Sequence, residues 1–121
     1  FKVYNDTHGH LGGDQALIAM AKTMHKTVRP GDFAARYGGE EFAVILPATR
    51  LENCSEVAER LRVAVMNTKI SMPDGTPLPG ITISMGIAES TLDGDTEVEL
   101  IKRADAKLYQ AKEDGRNRFC L

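Results

Sequence analysis

With 121 residues the chain is long enough for one domain and can bury a core without disulfides or a structural metal. Apolar residues make up 42% and charged residues 26%, and a formal net charge of −2 argues against bulk attraction to a nucleic-acid polymer or a membrane surface. Cys54 and Cys120 are the only cysteines and form no CxxC pair, so a disulfide framework is excluded and a reducing, cytoplasmic setting is expected; no run approaches the ~18 continuous apolar residues of a membrane span.

The chain opens on FKVYND, without a Met or a helix-cap signal, and reads as the inside of a domain, so a fragment of a longer protein is expected. Residues 14–28 are predicted helical, because Leu17, Met20, Ala21, Met24 and Val28 recur at three- and four-residue spacing. RPGD (29–32) ends that helix: Pro30 disfavours helical geometry at Arg29, and Gly31 loosens the turn. Strands at 33–37 and 42–46 flank Gly38 and Gly39, a hairpin pattern. Phe42, Val44 and Leu46 fill one face of the second strand and Ala43 and Ile45 the other, so this strand is expected in a sheet interior. A second amphipathic helix covers 52–66, with Val57, Leu61, Ala64 and Val65 inward. PDGTPLPG (73–80) is a loop or hairpin tip, and Ile81, Ile83, Met85 and Ile87 alternate along a strand at 81–88. Thr96, with Glu99 three residues on, forms a capping-box pattern for a third helix that runs to residue 114. Gly115 stops it, and 118–121 reads as a short closing strand. This order predicts one α+β domain, a mostly antiparallel sheet with helices packed around it.

Glu40 and Glu41 interrupt an otherwise strand-like run. Successive strand side chains point to opposite faces, so with both faces apolar one of the pair is expected close to the core rim. Two carboxylates about 4 Å apart repel by roughly 4 kcal/mol at an effective dielectric of about 20, and a divalent cation removes that repulsion. Gly38 and Gly39 leave bare backbone that a bulky substrate can approach. Carboxylates combined with substrate phosphates suit Mg²⁺, or Mn²⁺ in its place. The bland alternative is an exposed, idle pair at a hairpin tip. HGH (8–10) lacks the further ligands a metal site needs; Met20, Met24 and Met85 read as core filler.

RYGGEEF (36–42) resembles the signature of the GGDEF family, the diguanylate cyclase domains, in its GGEEF form. FKVYNDTHGHLGGD (1–14), TISMGIA (82–88) and RADAKLYQAKEDGRN (103–117) resemble further segments of that family, in family order and over nearly the whole chain. The resemblance implies a ferredoxin-like core related to the palm of nucleotide cyclases and polymerases. It implies that two GTP-loaded domains face each other as a homodimer, each 3′-hydroxyl attacking the other α-phosphate, to give cyclic di-GMP and two pyrophosphates. Within it Glu41 corresponds to a Mg²⁺ ligand and Glu40 to the catalytic acidic position. Asn5 and Asp14 match the guanine-reading pair; one carboxylate can accept both N1–H and N2–H of guanine, whereas adenine presents an acceptor at N1. A turn role for Asn5 and a helix N-cap role for Asp14 remain the local alternatives.

Lys112 and Arg116 match positions contacting the terminal phosphates, as do the amides of Phe1 and Lys2; the alternative for the two cations is a favourable interaction with a helix C-terminus. Arg29 and Asp32 of RPGD match an inhibitory product site, where Arg29 would fork to a phosphate or guanine. Arg60 corresponds to a basic position that completes that site from a neighbouring domain, or else pairs with Glu56 one turn earlier. The family's first strand, with a second carboxylate ligand for Mg²⁺, precedes the position of Phe1, so the resemblance implies upstream residues and an upstream sensor or receiver domain, in a parent protein free or anchored to a membrane. A non-catalytic module that binds GTP or cyclic di-GMP is the competing reading, and a plain ferredoxin-like interaction domain the third.

Overall fold

The computed structural model describes residues 1–90 and 96–121. Their contacts divide into two units, Phe1–Pro47 with Val63–Ile81, and Ala48–Arg62 with Thr82–Leu121.

In the first unit, α1 (Lys2–Thr27) begins well before the predicted helix and carries a non-helical Gly9, φ 75° and ψ 172°, that divides it into two helical stretches. The early stretch was hidden in sequence because it presents aromatic rather than aliphatic periodicity. Phe1 stacks on Tyr4 with ring centroids 6.2 Å apart, and Tyr4 packs on His8 at 4.9 Å. The Tyr4 hydroxyl donates to the Pro79 carbonyl at 2.8 Å, and burial pushes its pKa up. α1 packs against β1 (Phe33–Gly38), which pairs antiparallel with β2 (Glu41–Ile45). It also packs against β3 (Ile70–Ser71), whose antiparallel partner is β4 (Pro77–Leu78). The loop between β3 and β4 is the hairpin tip expected at 73–80, closed by Met72 N–H to Thr76 O at 2.8 Å and by Thr76 N–H to the Asp74 carboxylate at 2.9 Å. That second bond holds the Asp74 carboxyl below its usual value. Ala16, Met24, Val65 and Ile70 form the core of this unit.

In the second unit, residues 51–62 of α2 (Leu51–Met66) bury Cys54, Val57, Ala58 and Leu61. The α2 N-terminus receives a side-chain cap from Glu89, which accepts from Leu51 N–H at 3.3 Å. α3 (Glu97–Glu113) starts as its sequence predicts: Thr96 Oγ1 accepts from Glu99 N–H at 3.2 Å. It packs on β5 (Met85–Gly86) and β6 (Phe119–Cys120), which pair in parallel.

Two expectations need correction. The strand predicted at 81–88 contracts to Met85–Gly86, since only Met85 and Ile87 N–H groups reach ladder carbonyls, those of Arg118 and Cys120. β2 is not interior to a sheet among the described residues: it pairs with β1 alone. Phe42 and Val44 are half-buried, but the opposite face stays open, with Phe33, Tyr37 and Ile45 all more than 60% exposed. The period-two apolar pattern encodes a strand that can be covered on both sides; in this hairpin α1 packs on the neighbouring β1.

Candidate active site

The glycine–glutamate run folds one residue further along than its sequence suggested. β1 extends through Gly38, which pairs with Glu41, and the turn residues are Gly39 and Glu40. Only Gly39 of the two takes positive φ (52°), the pattern of a type II′ hairpin. The register shifts between Arg36 and Gly38, a bulge at Tyr37, and Arg36 Nε donates to the Gly39 carbonyl at 2.8 Å, which braces the tip. Glu40 therefore stands at the apex, while Glu41 is fixed by the ladder on the same open face as Ala43 and Ile45. Both glutamates are exposed, so neither lies at the core rim as expected. A Cβ built on Gly38 or Gly39 would meet no heavy atom within 4 Å. The tip is open space flanked by two carboxylates.

Asn5 lies on the first stretch of α1 and Asp14 on the second, and the Asn5 side chain comes against Gly13, the neighbour of Asp14 in sequence. Buried Gly13 lies directly beneath the Asn5 side chain: a Cβ at Gly13 would collide with Asn5 Oδ1. Gly13 thus seats the Asn5 amide against the main chain that leads into Asp14, a role the sequence alone did not reveal. Asp14 is exposed and lies inside the second stretch of α1, five residues past the break at Gly9, so the N-cap reading is set aside. Lys2 opens α1, where main-chain N–H groups lack helical acceptors, and Phe1 provides no side-chain cap.

Arg29 and Asp32 hold each other. Arg29 Nε and Nη2 fork onto the carboxylate at 2.9 and 3.2 Å, and the Arg29 N–H adds a third bond at 3.0 Å. The Asp32 side chain is only 4% exposed. Arg60 is exposed on α2 and makes no ion pair with Glu56 among the described residues.

Lys112 lies exposed in the last turn of α3. After it, Gly115, Arg116 and Asn117 take φ of 119°, 62° and 49°, three consecutive left-handed residues. Arg62, on α2, donates from Nη1 to Asn117 Oδ1 at 3.1 Å and from Nε to Glu59 at 2.9 Å. The hydrogen bond from Arg62 holds the Glu59 carboxyl below its usual value. Neither Arg62 nor Asn117 received a role from the sequence. The available hint was an Asn after Gly-Arg, since Asn tolerates left-handed φ better than most residues.

Among the described residues no three His, Cys, Asp or Glu side chains group to hold a metal. The hairpin offers two adjacent carboxylates and nothing more. That donor set is too small for an all-protein cage and suits a hard cation that keeps phosphate and water ligands.

The domain family described as "Diguanylate cyclase, GGDEF domain" matches residues 1–118. Response regulator PleD of Caulobacter vibrioides is 44% identical over 117 residues, covering 97% of this chain and 26% of that protein. Diguanylate cyclase DgcM of Escherichia coli is 44% identical over 119 residues, 98% of this chain and 27% of that one. The chain thus spans about a quarter of the length of these curated relatives. The GGDEF domain of DgcB from Caulobacter crescentus, solved in complex with c-di-GMP, superposes with a TM-score of 0.90 at 39% identity, over 98% of this chain and 70% of that one. These likenesses extend over nearly all of the α+β chain and agree with the hairpin carrying the acidic doublet: the chain belongs to the GGDEF, or diguanylate cyclase, domain family.

Proposed function

We propose that this chain is the catalytic domain of a diguanylate cyclase, condensing two GTP into cyclic di-GMP and two pyrophosphates across a dimer of domains. The observation that carries the reading is the hairpin tip: two exposed carboxylates beside two glycines with open space around them, in a chain of this family.

Glu41, oriented by its ladder position, would hold Mg²⁺ or Mn²⁺ together with the nucleotide phosphates, with Glu40 close by. When bound, the cation supplies neutralisation of charge on the phosphoryl oxygens. Glu40, at the apex, accepts the proton of the attacking 3′-hydroxyl. Asn5 and Asp14 read the guanine edge, Asp14 accepting its N1–H and N2–H. The N–H of Lys2, with that of Phe1, suits phosphate oxygens because a helix N-terminus carries orphan donors and a favourable dipole. Lys112 and Arg116 neutralise terminal phosphates.

Incubation with GTP and Mg²⁺ at high protein concentration is expected to yield cyclic di-GMP, and incubation with ATP no cyclic product. GTP binding without product would sink the enzymatic reading and leave a nucleotide-binding module.

Product feedback is proposed at Arg29 and Asp32, with Arg60 supplied by a neighbouring copy. Because Asp32 already occupies the Arg29 fork, Arg29→Ala has two expected effects. It raises the cyclic di-GMP concentration for half-inhibition by about tenfold or more. It also removes the two side-chain hydrogen bonds to the buried Asp32 carboxylate, lowering stability by about 1–3 kcal/mol. Inhibition curves and denaturant titration measure the two; an unchanged half-inhibition value removes Arg29 from the site.

A further inference from the structure

Arg116 leaves the chain from an improbable backbone. Left-handed φ is a few-per-cent conformation for non-glycine residues, yet Arg116 and Asn117 adopt it in succession after Gly115. Something must hold the run. The Arg116 N–H donates to the Ala111 carbonyl at 3.0 Å, which ties the turn to the end of α3. Arg118 Nε donates to the Arg116 carbonyl at 3.1 Å, which ties it to the chain entering β6. Both bonds engage main chain close in sequence. The brace from a separate element is Arg62, 55 residues away, whose Nη1 reaches Asn117 Oδ1. Arg62 is itself fixed: its side chain is 20% exposed, and its Nε and Nη2 are engaged by Glu59 one turn back on α2. A rigid guanidinium with its Nε and Nη2 edge anchored presents Nη1 in a defined direction.

We infer that Arg62 is a positioning residue: by holding Asn117 it fixes the left-handed run 115–117 and thereby sets the direction in which Arg116 projects toward a nucleotide phosphate. The phosphate role of Arg116 rests on the function proposed above; the bracing of the turn does not. Glu59 belongs to the same device, since it anchors the guanidinium, and the family resemblance gave neither residue a part.

The test uses Arg62→Gln and Asn117→Gly, each alone and combined with Arg116→Ala. Asn117→Gly accepts positive φ without strain while deleting the acceptor, so it separates loss of the brace from loss of folding. Both single variants are expected to raise KM for GTP about tenfold, part of the worth of a charge-assisted contact, with kcat changed less than about twofold. Adding either to Arg116→Ala should raise KM no further, because the brace acts only through Arg116. NMR chemical shifts of residues 115–117, which report φ, should move in Arg62→Gln. A wild type that makes cyclic di-GMP while Arg62→Gln keeps its KM, or additive effects with Arg116→Ala, overturns the inference. A wild type that makes none refutes the cyclase reading instead, and the chemical shifts then decide the brace alone: movement at 115–117 supports it and unchanged shifts overturn it.

Discussion

Replacing Glu41 by alanine is expected to lower kcat for cyclic di-GMP formation about a thousandfold or more, on the scale of losing one preorganised electrostatic partner of the transition state. That factor corresponds to about 4 kcal/mol of barrier. The side chain is exposed and sits on the open face of β2, so stability should change by no more than about 0.5 kcal/mol. Loss of activity with an unshifted melting curve is the pattern that distinguishes a ligand from a structural residue. Glu41 also carries half of the carboxylate charge at the tip, so the Mg²⁺ concentration needed for half-maximal rate should rise in any residual activity. Turnover within a few-fold of wild type would mean that the metal assignment is wrong.

The second large effect concerns stability. Gly86→Ala is expected to destabilise the protein by about 3 kcal/mol, the upper part of the usual overpacking range. β5 and α3 meet with no room for a methyl group: a Cβ at Gly86 would collide with the Ala104 carbonyl oxygen and the Leu108 nitrogen, and would lie 2.9 Å from Leu108 Cα. All three obstacles are main chain, so no rotamer change relieves them. Either α3 moves off the strand or the short β5–β6 ladder breaks. Against a total stability of about 5–15 kcal/mol this is a large fraction, and the melting temperature should fall by about 10 °C or more. Gly38→Ala is the control. It meets nothing within 4 Å and should melt within about 2 °C of wild type. Equal melting of the two variants would contradict the packing described for β5 on α3.

These contrasts mark what a sequence can carry. Amphipathic spacing located α2 within a residue of its observed start, and Thr96 with Glu99 located the start of α3, because periodicity and caps are local physics. The acidic doublet and the Arg29 and Asp32 positions stood out as local clusters of charge, but that Arg29 and Asp32 bond to each other and that both glutamates are exposed did not. Features that depend on distant partners were not legible. Nothing in TISMGIA says that Gly86 touches two turns of α3, nor in AERLR that Arg62 spans 55 residues to Asn117. The 81–88 segment shows the converse: its alternation is real, but a strand exists only where another backbone lies alongside, and here that is Phe119–Cys120. The turn misplaced by one residue, Gly39–Glu40 rather than Gly38–Gly39, reflects the bulge at Tyr37, which no composition rule forecasts.

The break at Gly9 makes the first seven residues of α1 a separate lever rather than the end of a rod. What latches this lever is modest: one tyrosine hydroxyl on a proline carbonyl, a stack of rings, and an asparagine seated on a glycine. A purine gripped between Asn5 and Asp14 would bolt the lever to the body of the helix. Nucleotide binding there would stabilise the packing of this segment on the helix body, each tenfold excess over the dissociation constant adding about 1.4 kcal/mol.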